Sequence, residues 1–291
     1  MSLPHLEATR PSGRAIALTA AAMIAFAANS ILCRLALAHS SIDPASFTIV
    51  RIGSGVVALW LILAVSRKAT SVGGTWRGAL ALFAYAAAFS FAYVTLSAST
   101  GALLLFGAVQ ATMVMTGLVR GDRLAAPQWL GFVLSLAGLA ALLLPGASAP
   151  PLTGALLMIT AGIAWGAYSL IGRGASDPLV ATAGNFLRAL PLAAVAFAVA
   201  APMGAHQAPD GVMYAVLSGA IASGVGYTIW YAALPSLSAV QGASVQLSVP
   251  VLTALAGTLT LGEGISTRLA LTSIAIHGGI GLVIAGRPRD P

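Results

Sequence analysis

The sequence predicts an all-α integral membrane protein with ten transmembrane helices, arranged as two inverted five-helix repeats around a central cavity. The 291 residues are 58% hydrophobic and only 7% charged, whereas about a quarter of the residues in a soluble domain are charged. Apolar segments of about 20 residues, enough to cross a bilayer, recur along the chain. The two halves also match each other at a nearly constant offset.

The predicted spans are separated by short polar turns. They cover residues 14–38, 44–66, 76–97, 99–119, 127–145, 152–173, 178–201, 211–234, 238–261 and 266–286. The first repeat is therefore predicted at 14–145 and the second at 152–287, with 146–151 as their linker. Residues 1–13 predict a disordered cytoplasmic lead, and residues 288–291 a cytoplasmic tail.

The placement of basic residues predicts the orientation of these spans. With the N-terminus inside, the outside loops hold only Arg268, and the cytoplasmic segments hold Arg10, Arg14, Arg67, Lys68, Arg77, Arg120, Arg123, Arg173, Arg287 and Arg289. Lysine and arginine concentrate in cytoplasmic loops, so both termini are predicted to be cytoplasmic. Because these residues are scattered over short loops, we expect no nucleic-acid partner.

Two pairs of segments carry the internal repeat. AFAANSILCR at 25–34 matches AWGAYSLIGR at 164–173, and GALLLFGAVQ at 101–110 matches GASVQLSVPV at 242–251. An odd number of spans in each half makes the second half run opposite to the first. Inverted repeats of this kind are typical of secondary transporters that bind substrate near the membrane midplane.

Several short motifs resemble a known family. NSILCRLAL in span one, FTIVRIGSG in span two and the glycine-acid elements RGD and LGE resemble the EamA-type branch of the drug/metabolite transporter superfamily. GALLLFGAVQATM resembles the YddG-type amino acid exporters. The resemblance implies a cavity walled by spans one to four and six to nine. It also implies export of small neutral metabolites across a bacterial inner membrane.

Polar and aromatic residues within the spans are candidates for a substrate site. The predicted substrate-binding residues are Asn29, Tyr85, Phe106, Gln110, Trp165, Tyr168, Ser244 and Gln246. Amide and hydroxyl groups would bind the polar ends of a substrate, and the aromatic faces would suit an aromatic or aliphatic side chain. The alternative is that these groups only form hydrogen bonds between helices.

Other residues within the spans suggest movement or charge recognition. Gly107, Gly242 and Pro250 are predicted hinges, with a static kink as the alternative. Arg51 and Arg188 lie inside spans, where arginine is costly and marks a functional or structural role. They would either hold a substrate carboxylate or satisfy backbone carbonyl groups.

These features favour a secondary transporter that exports aromatic and other neutral amino acids. All seven acidic residues lie in loops or at span ends, which favours facilitated transport or exchange over proton coupling. No catalytic residue, metal site or cofactor is predicted, and the expected partners are a small-molecule substrate and the bilayer. The alternatives are a multidrug or nucleoside-type exporter, an intramembrane serine protease using Ser244 and His277, and a scaffold. Oligomeric state stays open.

Overall fold

The computed structural model describes residues 13–38, 42–66, 73–121, 123–146, 149–172, 175–237 and 245–285. The α-helices are α1 Gly13–Ala38, α2 Pro44–Val65, α3 Trp76–Tyr93, α4 Ala98–Val119, α5 Ala126–Leu143, α6 Leu152–Gly172, α7 Pro178–Ala200, α8 Pro209–Val216, α9 Gly226–Ala233, α10 Ser248–Leu261 and α11 Thr267–Ala285. A π-helical segment, Leu217–Val225, joins α8 to α9 without a break. The described residues form a helical bundle.

Most of these helices have the character of membrane spans. Seven helical runs are long and apolar enough to cross a bilayer: Gly13–Ala38, Pro44–Val65, Ala98–Val119, Ala126–Leu143, Leu152–Gly172, Pro178–Met203 and Pro209–Ser236. Ser248–Leu261 and Thr267–Val283 are shorter apolar helices. The prediction of an all-helical multi-pass membrane protein is therefore confirmed at this level. The count of ten spans stays a prediction.

Two helices begin with the same Asp-Pro capping sequence. The Asp43 carboxylate accepts hydrogen bonds from the backbone N–H groups at the start of α2, and Asp177 does the same for α7. Proline follows directly in both, where its missing N–H costs nothing and its fixed φ suits a helix start. These caps set where α2 and α7 begin.

The helices pack in a reciprocal pattern. Helix α2 packs on α7, α4 on α10 and α5 on α11, so equivalent helices of the two halves pair with each other. Helix α3 packs on α6, and in return α1 packs on the run from α8 to α9. Likewise α4 packs on α6, and α1 packs on α10. This exchange of partners is the pattern expected for two structurally similar halves.

One end of the bundle, which we call the Glu263 end, is held by an ion pair. Arg34, near the C-terminus of α1, donates from Nε to Glu263 Oε1 at 3.1 Å. Glu263 Oε2 also accepts the Ala98 backbone N–H at the start of α4, at 2.7 Å. Gly154, near the start of α6, lies against Thr95 at this same end. Since α1 finishes where α6 begins, the two halves run in opposite directions.

The opposite end, which we call the Arg188 end, is held by hydrogen bonds to the backbone. Arg188 Nη1 donates to the carbonyl oxygens of Gly73 at 2.6 Å and Gly184 at 3.0 Å. The Thr75 backbone N–H donates to Asn185 Oδ1 at 2.8 Å. These contacts join the start of α3 to α7. Arg188 thus satisfies backbone carbonyls, one of its two predicted roles.

The Asp43 cap predicts a pH-dependent contribution to stability. Burial raises the pKa of Asp43, but hydrogen bonds from Ser46, His206 and Ala45 outweigh burial and hold the pKa below its usual range. The charged form is thus favoured by folding. Its stabilising effect is complete above the unfolded pKa of about 3.9 and disappears as pH falls through the folded pKa.

We expect Asp43→Ala to lower the free energy of unfolding by about 0.5–2 kcal/mol at neutral pH, because the cap is lost. Asp43→Asn can still cap the helix but cannot titrate. The difference in unfolding temperature between wild type and Asp43→Asn should therefore shrink as the pH approaches 3. Thermal unfolding of the protein in detergent between pH 3 and 7 measures this. A difference independent of pH would contradict it.

Candidate functional site

A small cavity lies between helices of the two halves of the chain, and we call it the aromatic chamber. Its volume is about 20 Å³, room for about one water molecule. Helices from both halves of the chain enclose it. Its lining residues are Phe26, Asn29, Ser30, Tyr85, Phe89, Leu105, Phe106, Trp165, Ala222 and Tyr227.

The indole of Trp165 is the centre of the ring contacts in this chamber. Its ring centroid lies 4.9 Å from that of Tyr85, 5.1 Å from Tyr227 and 5.5 Å from Tyr168. Phe26 approaches it edge-on at 6.5 Å. Tilted and edge-on pairs at these separations each stabilise packing by about 0.5–1.5 kcal/mol beyond area burial. The chamber therefore offers aromatic faces held in a fixed arrangement.

A line of hydrogen bonds crosses the wall of the chamber. Ser218 Oγ donates to Asn29 Oδ1 at 2.6 Å, and Asn29 Nδ2 donates to Tyr85 Oη at 3.2 Å. Arg51 Nη2 donates to the same Tyr85 oxygen at 3.0 Å and reaches Ser223 Oγ at 3.5 Å. The Tyr85 hydroxyl thus joins α1, α2 and α3 at one atom.

Arg51 is a buried cation behind the chamber wall. Only 2% of its surface is exposed, and its guanidinium carbon lies 5.1 Å from the centroid of the Tyr85 ring and 5.0 Å from that of Phe89. Among the residues that the structure describes, its Nη1 atom has no hydrogen-bond partner. Within the described ranges the single salt bridge is Arg34–Glu263, so no carboxylate there pairs with Arg51.

The π-helical segment places both serines of this line. Ser218 and Ser223 are five positions apart within Leu217–Val225. In an α-helix, residues five apart point roughly 140° away from each other, but π-helical bonding from i to i+5 brings them close to one face. Between them, Gly219 lies directly against the Arg51 carbonyl oxygen, where a Cβ would clash.

The structure brings several predicted site residues together. Asn29, Tyr85, Phe106 and Trp165 all line the aromatic chamber. Tyr168 packs on Trp165 from outside the lining and lies 3.4 Å from Thr182 through their hydroxyl oxygens. These residues come from four different helices, so their proximity is a property of the tertiary fold.

Residues predicted on span four divide between two places. Gln110 and Gly107 line a separate cavity of about 20 Å³ between α4, α5 and α11. Gly107 lies against the Leu139 side chain there. In this structure Gln110 therefore faces the outer helix pair, whereas Phe106, one turn earlier, faces the chamber.

The predicted site on span nine is only partly visible. Gly242 and Ser244 lie outside the described residues. Gln246 precedes α10 and is half-buried, and it is not among the described residues that line the chamber. Pro250 is the third residue of α10, and Val245 and Gln246, just before that helix, are helical as well. Its role as a hinge stays a prediction.

Comparison with known proteins assigns the chain to a family. The model of the EamA-like transporter family matches residues 13–144 and again residues 152–285. The chain belongs to the EamA-like transporter family. Its domain is present twice, and the family is one of membrane transporters. The resemblance noted from the motifs is confirmed at this level, and the YddG-type assignment stays a prediction.

Two further similarities were found. A Pseudomonas aeruginosa protein, described as uncharacterized protein PA1977, is 57% identical over 278 residues, covering 95% of this chain and 96% of that protein. One crystal structure, titled only as that of a protein, matches with a TM-score of 0.63 at 20% identity, over 94% of this chain and 98% of that chain. The second similarity shows the fold alone.

The Ser218–Asn29 contact predicts that one buried hydroxyl is important for stability. We expect Ser218→Ala to lower the free energy of unfolding by about 1–3 kcal/mol, because it removes the donor from a buried amide oxygen. Ser169→Ala is the matched control. The Ser169 hydroxyl bonds only a carbonyl of its own helix, that of Trp165 at 2.8 Å, and its loss should cost less than about 0.5 kcal/mol. Equal losses in thermal unfolding would contradict the assignment.

Proposed function

We propose that this EamA-family transporter exports small neutral metabolites by alternating access, with aromatic and other neutral amino acids as the preferred substrates. The observation that carries the proposal is the aromatic chamber. It combines stacked rings with the polar groups of Asn29 and Tyr85, and both halves of the chain contribute to it. It would lie within two inverted five-helix repeats in a bacterial inner membrane, with both termini in the cytoplasm.

The chemistry of the chamber fits an amphipathic substrate. The Trp165 ring and its neighbours present apolar faces that suit an aromatic or aliphatic side chain. The Asn29 amide and Tyr85 hydroxyl supply a few placed polar groups, the combination typical of small-molecule sites. The chamber is too small for such a substrate in this state, so binding requires Trp165 or Tyr85 to move.

Among the described residues, one set of contacts joins helices at each end of the bundle. The Arg34–Glu263 ion pair ties α1 to the end of α10 at the Glu263 end. The Arg188 hydrogen bonds tie α3 to α7 at the Arg188 end. Alternating access would release one set of contacts while the other stays formed. We therefore propose that these two sets of contacts form the gates of the transporter.

The charges favour facilitated transport or exchange. Among the chamber-lining residues there is no carboxylate and no histidine, the groups that relay protons in many coupled transporters. His277 lies away from the chamber on α11, where its Nδ1 is 2.8 Å from the carbonyl oxygen of Ser273 in its own helix. A proton relay through these groups would therefore need a different route.

Uptake of labelled phenylalanine into liposomes that contain the purified protein tests the proposal. We expect saturable uptake without a proton gradient. Trp165→Ala should lower uptake at subsaturating substrate about tenfold or more, because two or more ring contacts are lost. Gln110→Ala is the matched control and should behave like wild type, because Gln110 lines a different cavity.

Three results would contradict parts of this proposal. Uptake only under an imposed proton gradient would exclude a facilitative mechanism. Equal losses in Trp165→Ala and Gln110→Ala would contradict the assignment of the site to the aromatic chamber alone. Transport of nucleosides or lipophilic drugs without transport of amino acids would favour the multidrug or nucleoside-type alternative.

A further inference from the structure

We infer that Arg51 binds the carboxylate group of the transported substrate, so that the substrate class is aromatic carboxylates rather than amines or uncharged compounds. This inference rests on the proposed function and deepens it. It makes the carboxylate, instead of the amino group, the obligatory polar feature of the substrate. Tyr85 then occupies the position of one carboxylate oxygen when no substrate is bound.

The first support is the contrast among three arginines of the described helices, Arg34, Arg51 and Arg188. Arg34 pairs with Glu263, and Arg188 donates to the carbonyl oxygens of Gly73 and Gly184. Both have the partners expected of a structural arginine. Arg51 is buried as a cation, but Nη1 has no partner, and no carboxylate among the described residues pairs with it.

An unpaired buried charge is strongly unfavourable, because the lost hydration is not replaced. Such a group stays in a structure when another function requires it. The missing partner must be an anion or a hydrogen-bond acceptor, because a guanidinium is only a donor. A substrate carboxylate would supply two acceptor oxygens.

The second support is the geometry of the guanidinium fork. Its Nη1 atom is free, and its Nη2 atom is held by the Tyr85 hydroxyl at 3.0 Å and more weakly by Ser223 at 3.5 Å. A carboxylate can take both Nη atoms at once, in the bidentate pairing that arginine favours. One of its oxygens would replace Tyr85 Oη, and the other would reach Nη1.

The third support is what lies next to Arg51. The rings of Tyr85 and Phe89 flank its guanidinium and stabilise the charge in a dry environment. Both rings also line the aromatic chamber, and Tyr85 stacks on Trp165. A substrate with its carboxylate on Arg51 would thus place its side chain against the rings of the chamber.

Binding to the full-length protein in detergent tests this inference apart from transport. Phenylalanine has both polar groups, 3-phenylpropionate has only the carboxylate, and phenethylamine has only the amine. For wild type we expect phenylalanine and 3-phenylpropionate to bind, with phenethylamine at least tenfold weaker by equilibrium dialysis. Arg51→Met should weaken binding of the two carboxylates about 10- to 100-fold, the range for a charge-assisted hydrogen-bonded pair, and leave phenethylamine unchanged.

The stability of the variants separates a binding role from a structural one. Arg51→Met should unfold at the same temperature as wild type or higher, because it removes a buried charge without a counter-ion. Arg188→Met is the matched control, and it should unfold at a lower temperature because the Gly73 carbonyl loses its donor. It should also keep the wild-type preference for carboxylates. If Arg51→Met does not fold, Arg51→Lys serves as the second test of carboxylate binding. We expect this variant to bind carboxylates more weakly, because lysine lacks the two forked nitrogens of the guanidinium.

Equal affinity of wild type for phenethylamine and phenylalanine would overturn the inference. So would an Arg51→Lys variant with wild-type affinity for both carboxylates. Arg51-dependent binding of carboxylates without uptake into liposomes would overturn the proposed export and still support the carboxylate anchor. Uptake that does not depend on the carboxylate would support the proposed transport and overturn the anchor.

Discussion

Burial of the Arg51 guanidinium is the constraint on which the centre of this structure depends. A charge at the middle of a membrane helix costs at least about 2.5–3.5 kcal/mol, and one of its terminal nitrogens has no hydrogen-bond partner. Partial compensation comes from the Tyr85 hydroxyl and from the two flanking rings. Through these contacts Arg51, on α2, meets α3 and the π-helical segment.

The π-helical segment allows close contacts between itself and helices α1 and α2. Gly219 touches the Arg51 carbonyl oxygen, so α2 and the segment are in backbone contact. The wider helix presents Ser218 to Asn29 on α1 and Ser223 to Arg51 on α2. A π-helix is less stable than an α-helix and is frequent at functional sites. Its position here, against the buried cation, agrees with that tendency.

The sequence predicts the positions of the helices better than the direction in which their side chains face. Long apolar runs and the Asp-Pro caps at Asp43 and Asp177 mark helix positions through local chemistry, which the tertiary fold did not override. Gln110 shows what the sequence does not determine. A helix that is apolar on all sides has no polar face to fix its rotation. The sequence therefore places Gln110 on a span, but it does not determine which cavity the side chain faces.

Ser218 and Ser223 are not among the predicted site residues, because α-helical periodicity puts them on different faces, and no feature of the sequence indicates a π-helix. Pro250 is the third residue of α10, and residues 238–244 lie outside the described part of the chain. A hinge at Pro250 within a span from residue 238 therefore stays a prediction. Asn29, Tyr85 and Trp165 lie together because polar and aromatic side chains inside apolar spans pack against each other, and their role in substrate binding stays a prediction.

The shared position of Tyr85 suggests how substrate would affect the two ends of the bundle. Its hydroxyl accepts from both Asn29 on α1 and Arg51 on α2. A carboxylate that displaced the Tyr85 hydroxyl from Arg51 would also strain the hydrogen bond between this hydroxyl and Asn29, and so weaken the link between α1 and α3.

Helices α1 and α3 meet again at the Glu263 end, where Arg34 donates to the Tyr93 carbonyl oxygen at 3.0 Å. The Arg188 contacts join α3 to α7 and do not involve α1. If Arg51 binds the substrate as we infer, binding would therefore loosen the Glu263 end in preference to the Arg188 end.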